Sequence, residues 1–385
     1  MPQLRTLFVV PQGEIAPGPR YRVFQYLPGL RALGVVPTVL AVRPDQATAR
    51  QLSRARPSRS QRFFDLVAAW RQNQFAFRDV VREAPRYDRL FVYRCPVPSW
   101  ARRALSPLRD RILFDFDDAL DQPELEGGPL QYWRVKVLRR GLENAVAVAG
   151  LTITSNGRNA SVVQGMGGRV AVIPTSVDVS RAVTRDRRSL TAPRPVLGWI
   201  GTPTTALYLA GIEDPLSRLA SVQDVAIRLV GAGRSPFARL EPELQPWSLP
   251  TEPNDVAAFD VGLMPMPDTP WTRGKAALKA LQYGAAGMPT VASWTETNAA
   301  ILGERDGALL CRTADDWFEA LRRLLADDAF RVEMGARARR RVESGYSLDV
   351  VLPRLHRAIV DVARAGAAED AGPARPSGGA PPVGA

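Results

Sequence analysis

The chain has 385 residues, 45% of them hydrophobic, with a formal charge of +12, one histidine and two cysteines. That length exceeds what a single core ordinarily fills, so two domains are expected. Cys95 and Cys311 lie far apart and in no zinc or redox spacing, which excludes a disulfide framework and fits a reducing compartment. No apolar run approaches the roughly 18 residues of a membrane span, and the opening MPQLRTLFVV has too short an apolar stretch for a signal-peptide core; a cytoplasmic protein, soluble or peripheral at the inner face of the cell membrane, is expected.

The first predicted element is a strand, TLFVV (6–10), ended by Pro11 and Gly13. In the following PQGEIAPGPRYR, Gly13 and Gly18 sit between strand and helix, where glycines let backbone amides approach an anion. Arg20 and Arg22 stand beside them; the spacing is not the dinucleotide fingerprint GxGxxG, and a plain flexible loop accounts for the same glycines. A helix from Tyr21 runs through LRALGV into a strand, PTVLAV (37–42). Between Gln51 and Asp110 thirteen arginines face five acids. This excess is either a solvated face or a surface attracted to an anionic membrane or acceptor. Nucleic acid is not expected as a partner, because no zinc-finger spacing, RNP-like strand or basic zipper accompanies the charge. Within this region, 59–86 interleaves Arg59, Arg62, Arg71, Arg78, Arg82 and Arg86 with Phe63, Phe64, Trp70, Phe75 and Phe77. The pattern fits a membrane-interface surface; the rival account is two ordinary helices with Phe64, Val67, Val80 and Val81 in the core.

Strand-like segments continue with LFVYR (90–94), ILFDF (112–116), LTITS (151–155) and VAVIP (170–174), an alternation with helices that points to an α/β fold of parallel strands. FDFDDALD places Asp115, Asp117 and Asp118 at a strand end, where neighbouring carboxylates can raise one another's pKa for acid–base work. Helix capping or pairing with nearby arginines accounts for them too. Residues 176–195 are arginine-rich, contain two prolines and lack periodicity; they read as a linker. The strand pattern then restarts with VLGWIG, AIRLVG, VGLMPM and PTVAS. In GWIGTPTTA, Gly201 ends a strand and Thr202, Thr204 and Thr205 can cap a helix or meet phosphate oxygens.

WTRGKAALKALQYGAAGMP (271–289) carries Arg273, Lys275 and Lys279 within 27 residues, Thr269 to Thr295, that contain no acid. Read as one helix, it sets Lys275, Lys279 and Gln282 within about 60° of one another beside an apolar stripe of Leu278, Leu281 and Ala285. Thr272, Arg273 and Gly274 fall at its N-terminus, where the macrodipole adds positive charge. Such a cluster suits a diphosphate, with a basic solvated helix as the plain alternative. The sole histidine, His356, lies in the last predicted helix, and no Ser-His-Asp, Cys-His or metal-ligand set is present. From Ala365 onward the chain is Ala-, Gly- and Pro-rich and is expected to be disordered.

In order and spacing, the segments GPRYRVFQYLPGLRALGV, ILFDFDDAL, VIPTSVDVSR, LGWIGTPTT, FDVGLMPMPDTPW and GKAALKALQYGAAGMPTVAS resemble the family 4 glycosyltransferases of the GT-B fold. The resemblance implies an α/β chain of two Rossmann-like domains facing across a cleft. It would comprise an acceptor-side domain (1–175), a linker (176–195), a nucleotide-sugar-binding domain (196–346), a helix crossing back to the first domain (347–364) and a tail (365–385). It implies a nucleoside-diphosphate sugar donor, a glycan or lipid-linked acceptor, retention of anomeric configuration, no metal and no cofactor. Arg273, Gly274, Lys275 and Lys279, with Gly201 and Thr202, would meet the donor diphosphate. Gln282, Glu296 and Asn298 would meet the ribose or sugar, Gly18, Arg20 and Arg22 the acceptor side, and Asp117 and Asp118 would be the catalytic carboxylates. Many relatives carry two glutamates eight residues apart where this chain has Gly274 and Gln282. That absence raises a second reading, a noncatalytic GT-B paralogue that binds nucleotide or glycan. A sugar-nucleotide epimerase is a third, disfavoured by the lack of a cleft histidine.

Overall fold

The computed structural model describes residues 3–43, 59–123, 129–184, 194–303 and 306–362. The predicted tail, part of the linker and the start of the basic region lie outside these residues, as do the side chains of Arg59, Arg62 and Phe63.

Strands covered on both faces are rich in Val, Ile, Leu and Phe, as in the FVV, LFV and ILF runs of the central strands, whereas the edge strand VVPTVLA is only partly buried. Six strands form a first, wholly parallel sheet: β1 (Leu4–Val10), β2 (Val35–Ala41), β3 (Arg89–Tyr93), β4 (Ile112–Phe116), β5 (Leu151–Thr154) and β6 (Val170–Val172), in the order β2-β1-β3-β4-β5-β6. A second parallel sheet contains β7 (Val196–Ile200), β8 (Ala226–Val230), β9 (Glu243–Gln245), β10 (Val261–Met264), β11 (Thr290–Ser293) and β12 (Ala308–Cys311), in the order β12-β11-β10-β7-β8-β9. The strand order reverses once in each sheet, at β1/β3 and at β7/β10. Ligands of such sheets bind beyond the carboxyl ends of the strands at these points.

The second switch point is built from small and large residues in register. Gly198 of β7 lies opposite Gly262 of β10. A Cβ on Gly198 would stand 1.8 Å from the Phe259 ring, and one on Gly262 would stand 2.2 Å from the Tyr283 ring. The two glycines therefore leave a bare patch of sheet on which Phe259 and Tyr283 pack edge to face, centroids 6.4 Å apart. The Tyr283 hydroxyl accepts from the Ile200 amide (3.2 Å) and donates to the Leu263 carbonyl (3.3 Å) where the strands part. This fixes the helix Leu278–Ala285 at the crevice.

One face of the first sheet is covered by the helices Arg59–Glu83, Ser99–Leu105, Pro129–Val148 and Gly157–Gly165, which bury Phe77, Val80, Ala101, Leu142 and Val163 among others. The other face packs on Tyr26, Leu27 and Leu30 and on the last helix, Leu348–Val360, whose Val351, Leu355, Ala358 and Ile359 are buried there. That helix follows Asp328–Gly345, which packs on the second sheet's helix Leu278–Ala285. The chain thus crosses back to the first sheet at its end, and Arg89 closes the crossing by donating to the carbonyls of Ile359 (2.7 Å) and Val360 (2.6 Å).

Candidate active site

The basic segment does not form the single helix its spacing predicts. Thr272–Gly274 make one 3-10 turn, Lys275 to Ala277 depart from it, and the helix begins at Leu278. Ala277 has φ +50°, a left-handed conformation that costs a non-glycine residue about 1–2 kcal/mol. The segment is held here from both domains. Asn156 Nδ2 (3.0 Å) and Asn159 Nδ2 (3.1 Å), after β5, both donate to the Gly274 carbonyl, and the Thr297 hydroxyl donates to the Arg273 carbonyl. A Cβ at Gly274 would come within 2.7 Å of the Ala119 Cβ and 2.8 Å of its nitrogen. Only glycine permits this approach.

The three cations of the segment consequently have three different fates. Arg273 is exposed and makes a bidentate pair with Asp268 (2.8 and 3.0 Å), an acid just upstream of the acid-free stretch. Its guanidinium is committed there rather than grouped with the lysines. Lys275 Nζ lies 3.1 Å from Asp118 Oδ1, across the cleft, and 4.7 Å from the centre of the Trp271 ring. Lys279 Nζ sits 5.4 Å from the Trp199 ring centre. Burial, reinforced by Lys275 and opposed by Asp118, lowers the Lys279 pKa to about 8. A Cβ on Gly201 would be 2.8 Å from Lys279 Cε, so the loop after β7 lies directly against this lysine. Thr202 and Thr205 cap the short helix Pro203–Ala206, with Thr205 Oγ1 donating to the Thr202 carbonyl at 3.2 Å.

The facing wall comes from the ends of β3 and β4. Arg94, at φ +52°, donates to Asp118 at 2.6 Å and stands 3.5 Å from Asp117, which also accepts from the Tyr93 hydroxyl at 2.7 Å. Two strained residues, Arg94 and Ala277, thus flank the same cleft, as stored strain commonly does at working sites. Burial pushes the Asp118 carboxyl up, but Arg94 and Lys275 outweigh it and hold its pKa at about 2. The expectation of a carboxylate raised into the acid–base range is therefore corrected for Asp118: cations, not carboxylates, are its nearest neighbours. Asp115 and Arg22 do not face the cleft. They form a fully buried pair (2.6 and 3.1 Å), with Arg22 also donating to the Ile173 carbonyl at 2.9 Å. Burial drives the Asp115 pKa to about 6 against the pull of Arg22.

Between these walls the domains meet at Glu252, which accepts from Arg20 (2.9 Å), the Tyr21 hydroxyl (2.8 Å), Trp247 Nε1 (2.6 Å) and Gln282 Nε2 (3.2 Å). The Arg20 guanidinium lies 5.0 Å from the ring centres of both Tyr21 and Trp247, and its Nε and Nη1 are buried without hydrogen-bond partners. Gly18 packs above the same wall, since a Cβ there would be 2.7 Å from the Tyr93 hydroxyl. Glu296 is exposed at the start of the helix Glu296–Leu302, and Asn298 is buried, donating to the Ser293 carbonyl at 2.8 Å. Neither contacts the lysine pair in the described hydrogen-bond network. The structure therefore gathers Arg20, Asp117, Asp118, Gly201, Gly274, Lys275, Lys279 and Gln282, and leaves Arg22, Arg273 and Glu296 apart. Arg94, Tyr21, Trp247, Glu252, Asn156 and Asn159 were not anticipated. Arg94 and Asn156 follow strand carboxyl ends, and that position was the signal available for them. Among the described residues no three His, Cys, Asp or Glu are grouped to hold a metal.

Two parallel sheets with their strand ends apposed across a charged cleft match solved structures over nearly the whole chain. A sucrose-phosphate synthase from Thermosynechococcus elongatus superposes with a TM-score of 0.64 at 16% identity, covering 92% of this chain and 97% of that one. The chain has the GT-B fold. Anabaena HepE in complex with UDP-glucose shares it with a TM-score of 0.63 at 13% identity over 93% of this chain and 100% of that one. An alpha-glucosyltransferase in complex with UDP and a 13-mer DNA does so with a TM-score of 0.62, again at 13% identity over 93% and 100%. A family model described as glycosyl transferase-like matches residues 261–357 of this GT-B chain, which include the lysine segment. No curated protein matches. The alpha-glucosyltransferase overturns the exclusion of nucleic acid as a partner. A second structure of such an enzyme holds UDP-glucose and DNA containing an abasic site, so proteins of this fold include ones solved with DNA.

Proposed function

We propose that this GT-B chain, in the manner of family 4 enzymes, moves a sugar from a nucleoside-diphosphate sugar to a glycan or lipid-linked acceptor. The observation that carries the reading is the position of Lys279, with Lys275, against the Gly201 loop at the carboxyl end of the β7/β10 switch point. An anion binds there because two ammonium groups, one of them partly desolvated, face a loop that leads into a helix start. As the bond between the anomeric carbon and the diphosphate oxygen breaks, negative charge grows on the leaving diphosphate, and fixed cations in a water-poor cleft stabilise it. The chemistry needs no protein nucleophile. Asp118, ionised across the working pH range, can accept a hydrogen bond from a sugar hydroxyl but has no proton to give. Diphosphate binding competes with Asp118 for Lys275, which frees the carboxylate for the incoming sugar. Retention of configuration and independence of added metal belong to this reading, the latter tested by activity in EDTA with and without Mn²⁺.

A thermal-shift screen with UDP, GDP, CDP and ADP and with the free nucleosides tests the donor site. A ligand at 100 times its Kd adds about 2.7 kcal/mol of stability, a readily measured rise in Tm. One diphosphate series should stabilise the protein and its nucleoside should do so far less. Equal shifts for nucleoside and diphosphate, or none for any nucleotide, would remove the lysine pair from the donor site.

A further inference from the structure

The described residues expose six large aromatic side chains, Phe64, Trp70, Phe75, Trp100, Tyr132 and Trp133, the most open being Tyr132 at 74% and Phe64 at 68%. Single exposed rings are unremarkable, but a contiguous set marks an interaction surface. These six are spread over 70 positions of sequence and stand on three successive helices, Arg59–Glu83, Ser99–Leu105 and Pro129–Val148, neighbours on one face of the first sheet; on the long helix Trp70 projects about 120° from Phe64, toward the side of Phe77, and is not part of the row formed by Phe64 and Phe75. On the long helix, Phe64, Arg71, Phe75, Arg78 and Arg82 fall within about 60° of arc, while Phe77 and Val80 are buried on the far side. The two readings of the 59–86 segment are thereby divided between its residues: Phe77 and Val80 are core, Phe64 and Phe75 are surface. Arg78 stacks on Phe75 at 5.0 Å, and Trp100 is held by a 2.8 Å bond from its Nε1 to Gln74. Arg82, by contrast, is paired with Asp79 at 3.0 Å.

We propose that this face docks the protein on an anionic bilayer, which, on the transfer reading above, makes the acceptor a lipid-linked one. Trp and Tyr rings settle at the headgroup level, Phe rings enter the acyl boundary beneath it, and cations beside them meet lipid phosphates, a pairing of chemistries that a merely solvated basic face lacks. The surface begins on the carboxyl-end side of the first sheet. Arg43, just past the carboxyl end of β2, has both Asp65 and Arg134 as electrostatic neighbours. The starts of the helices Arg59–Glu83 and Pro129–Val148, carrying Phe64, Tyr132 and Trp133, therefore lie near the carboxyl end of the edge strand β2.

Co-sedimentation of the full chain with vesicles of phosphatidylglycerol and phosphatidylcholine, or of phosphatidylcholine alone, tests the proposal. Binding is expected to the first and not the second, to weaken at high salt, and to fall about thirtyfold when Arg71→Glu is combined with Arg78→Glu. The pair Phe64→Ser with Phe75→Ser should also release the protein from anionic vesicles at an unchanged charge. Both double variants should keep the wild-type thermal shift with nucleoside diphosphate, which separates loss of docking from loss of fold. Absence of vesicle binding, binding indifferent to lipid charge, or binding that survives either double variant overturns the docking surface and leaves the donor site untouched. Binding of a single-stranded oligonucleotide that both variants abolish, with vesicles ignored, would assign the surface to nucleic acid instead. Failure of the nucleotide screen alongside intact vesicle binding would remove the transfer reading and keep the docking face.

Discussion

On the transfer reading proposed above the donor site depends most on Lys279, and the lowered pKa of this lysine, about 8, gives it a signature in pH. The free protein loses this proton as pH rises through about 8, whereas a bound diphosphate favours the charged form and raises the pKa. Binding above pH 8 must therefore take up a proton. Affinity for the nucleoside diphosphate should fall by up to about tenfold per pH unit above 8, since one unit is 1.36 kcal/mol, while affinity for the nucleoside stays level. Calorimetric titration at pH 7, 8 and 9 measures this, and a flat profile for the diphosphate would detach Lys279 from the phosphates. Substitution gives a second, independent ranking. Lys275→Ala and Lys279→Ala should each weaken diphosphate binding by roughly 1.5–3 kcal/mol. Arg273→Ala should leave it nearly unchanged, because its exposed guanidinium is already paired with Asp268. A loss at Arg273 equal to that at the lysines would show that it leaves Asp268 when the donor arrives.

At the scale of elements, glycines decide where strand, helix and domain can touch. Gly198→Ala forces a methyl into the Phe259 ring and should destabilise the second domain by about 1–3 kcal/mol or more, read as a lower denaturant midpoint. Gly274→Ala meets the backbone of Ala119 instead, in the other domain. Its effect should appear as a larger radius of gyration in X-ray scattering with the denaturant midpoint nearly unchanged; an unaltered radius would mean that the contact with Asn156 and Asn159 does not hold the cleft closed. The same distinction explains what was legible in the sequence. β1, β4 and β7 could be read because strands covered on both faces show as short, mostly apolar runs bounded by Pro, Gly or Asp. β9 was missed because it is a three-residue edge strand, ELQ, with two of its residues exposed. The break at Ala277 was invisible because the contacts that hold the segment are not local: the sequence favours a helix from 271, and Ala119, Asn156, Asn159 and Thr297 hold it otherwise. For the same reason the basic character of 271–289 was readable, but not which cation would be free of Asp268.

The whole molecule is two parallel sheets tied by a last helix that belongs, by packing, to the first. Leu355 lies 2% exposed in that core, and Leu355→Ala should cost about 2–5 kcal/mol. The loss should register in the stability of the first domain, measured by hydrogen exchange in β1 and β3, with the strands of the second sheet protected as before; uniform loss across both sheets would mean that the domains unfold as one unit. This architecture places the cations of one domain opposite the carboxylates of the other. The account stands on the claim that this cleft breaks the bond between a sugar and a nucleoside diphosphate. Release of nucleoside diphosphate from a panel of UDP-, GDP- and ADP-sugars by the purified chain, compared with the variant carrying both Lys275→Ala and Lys279→Ala, measures it directly. The wild type should release the diphosphate from at least one sugar nucleotide and the double variant should lose that activity; tight nucleotide binding with no release from any donor, with or without added acceptor, would contradict it.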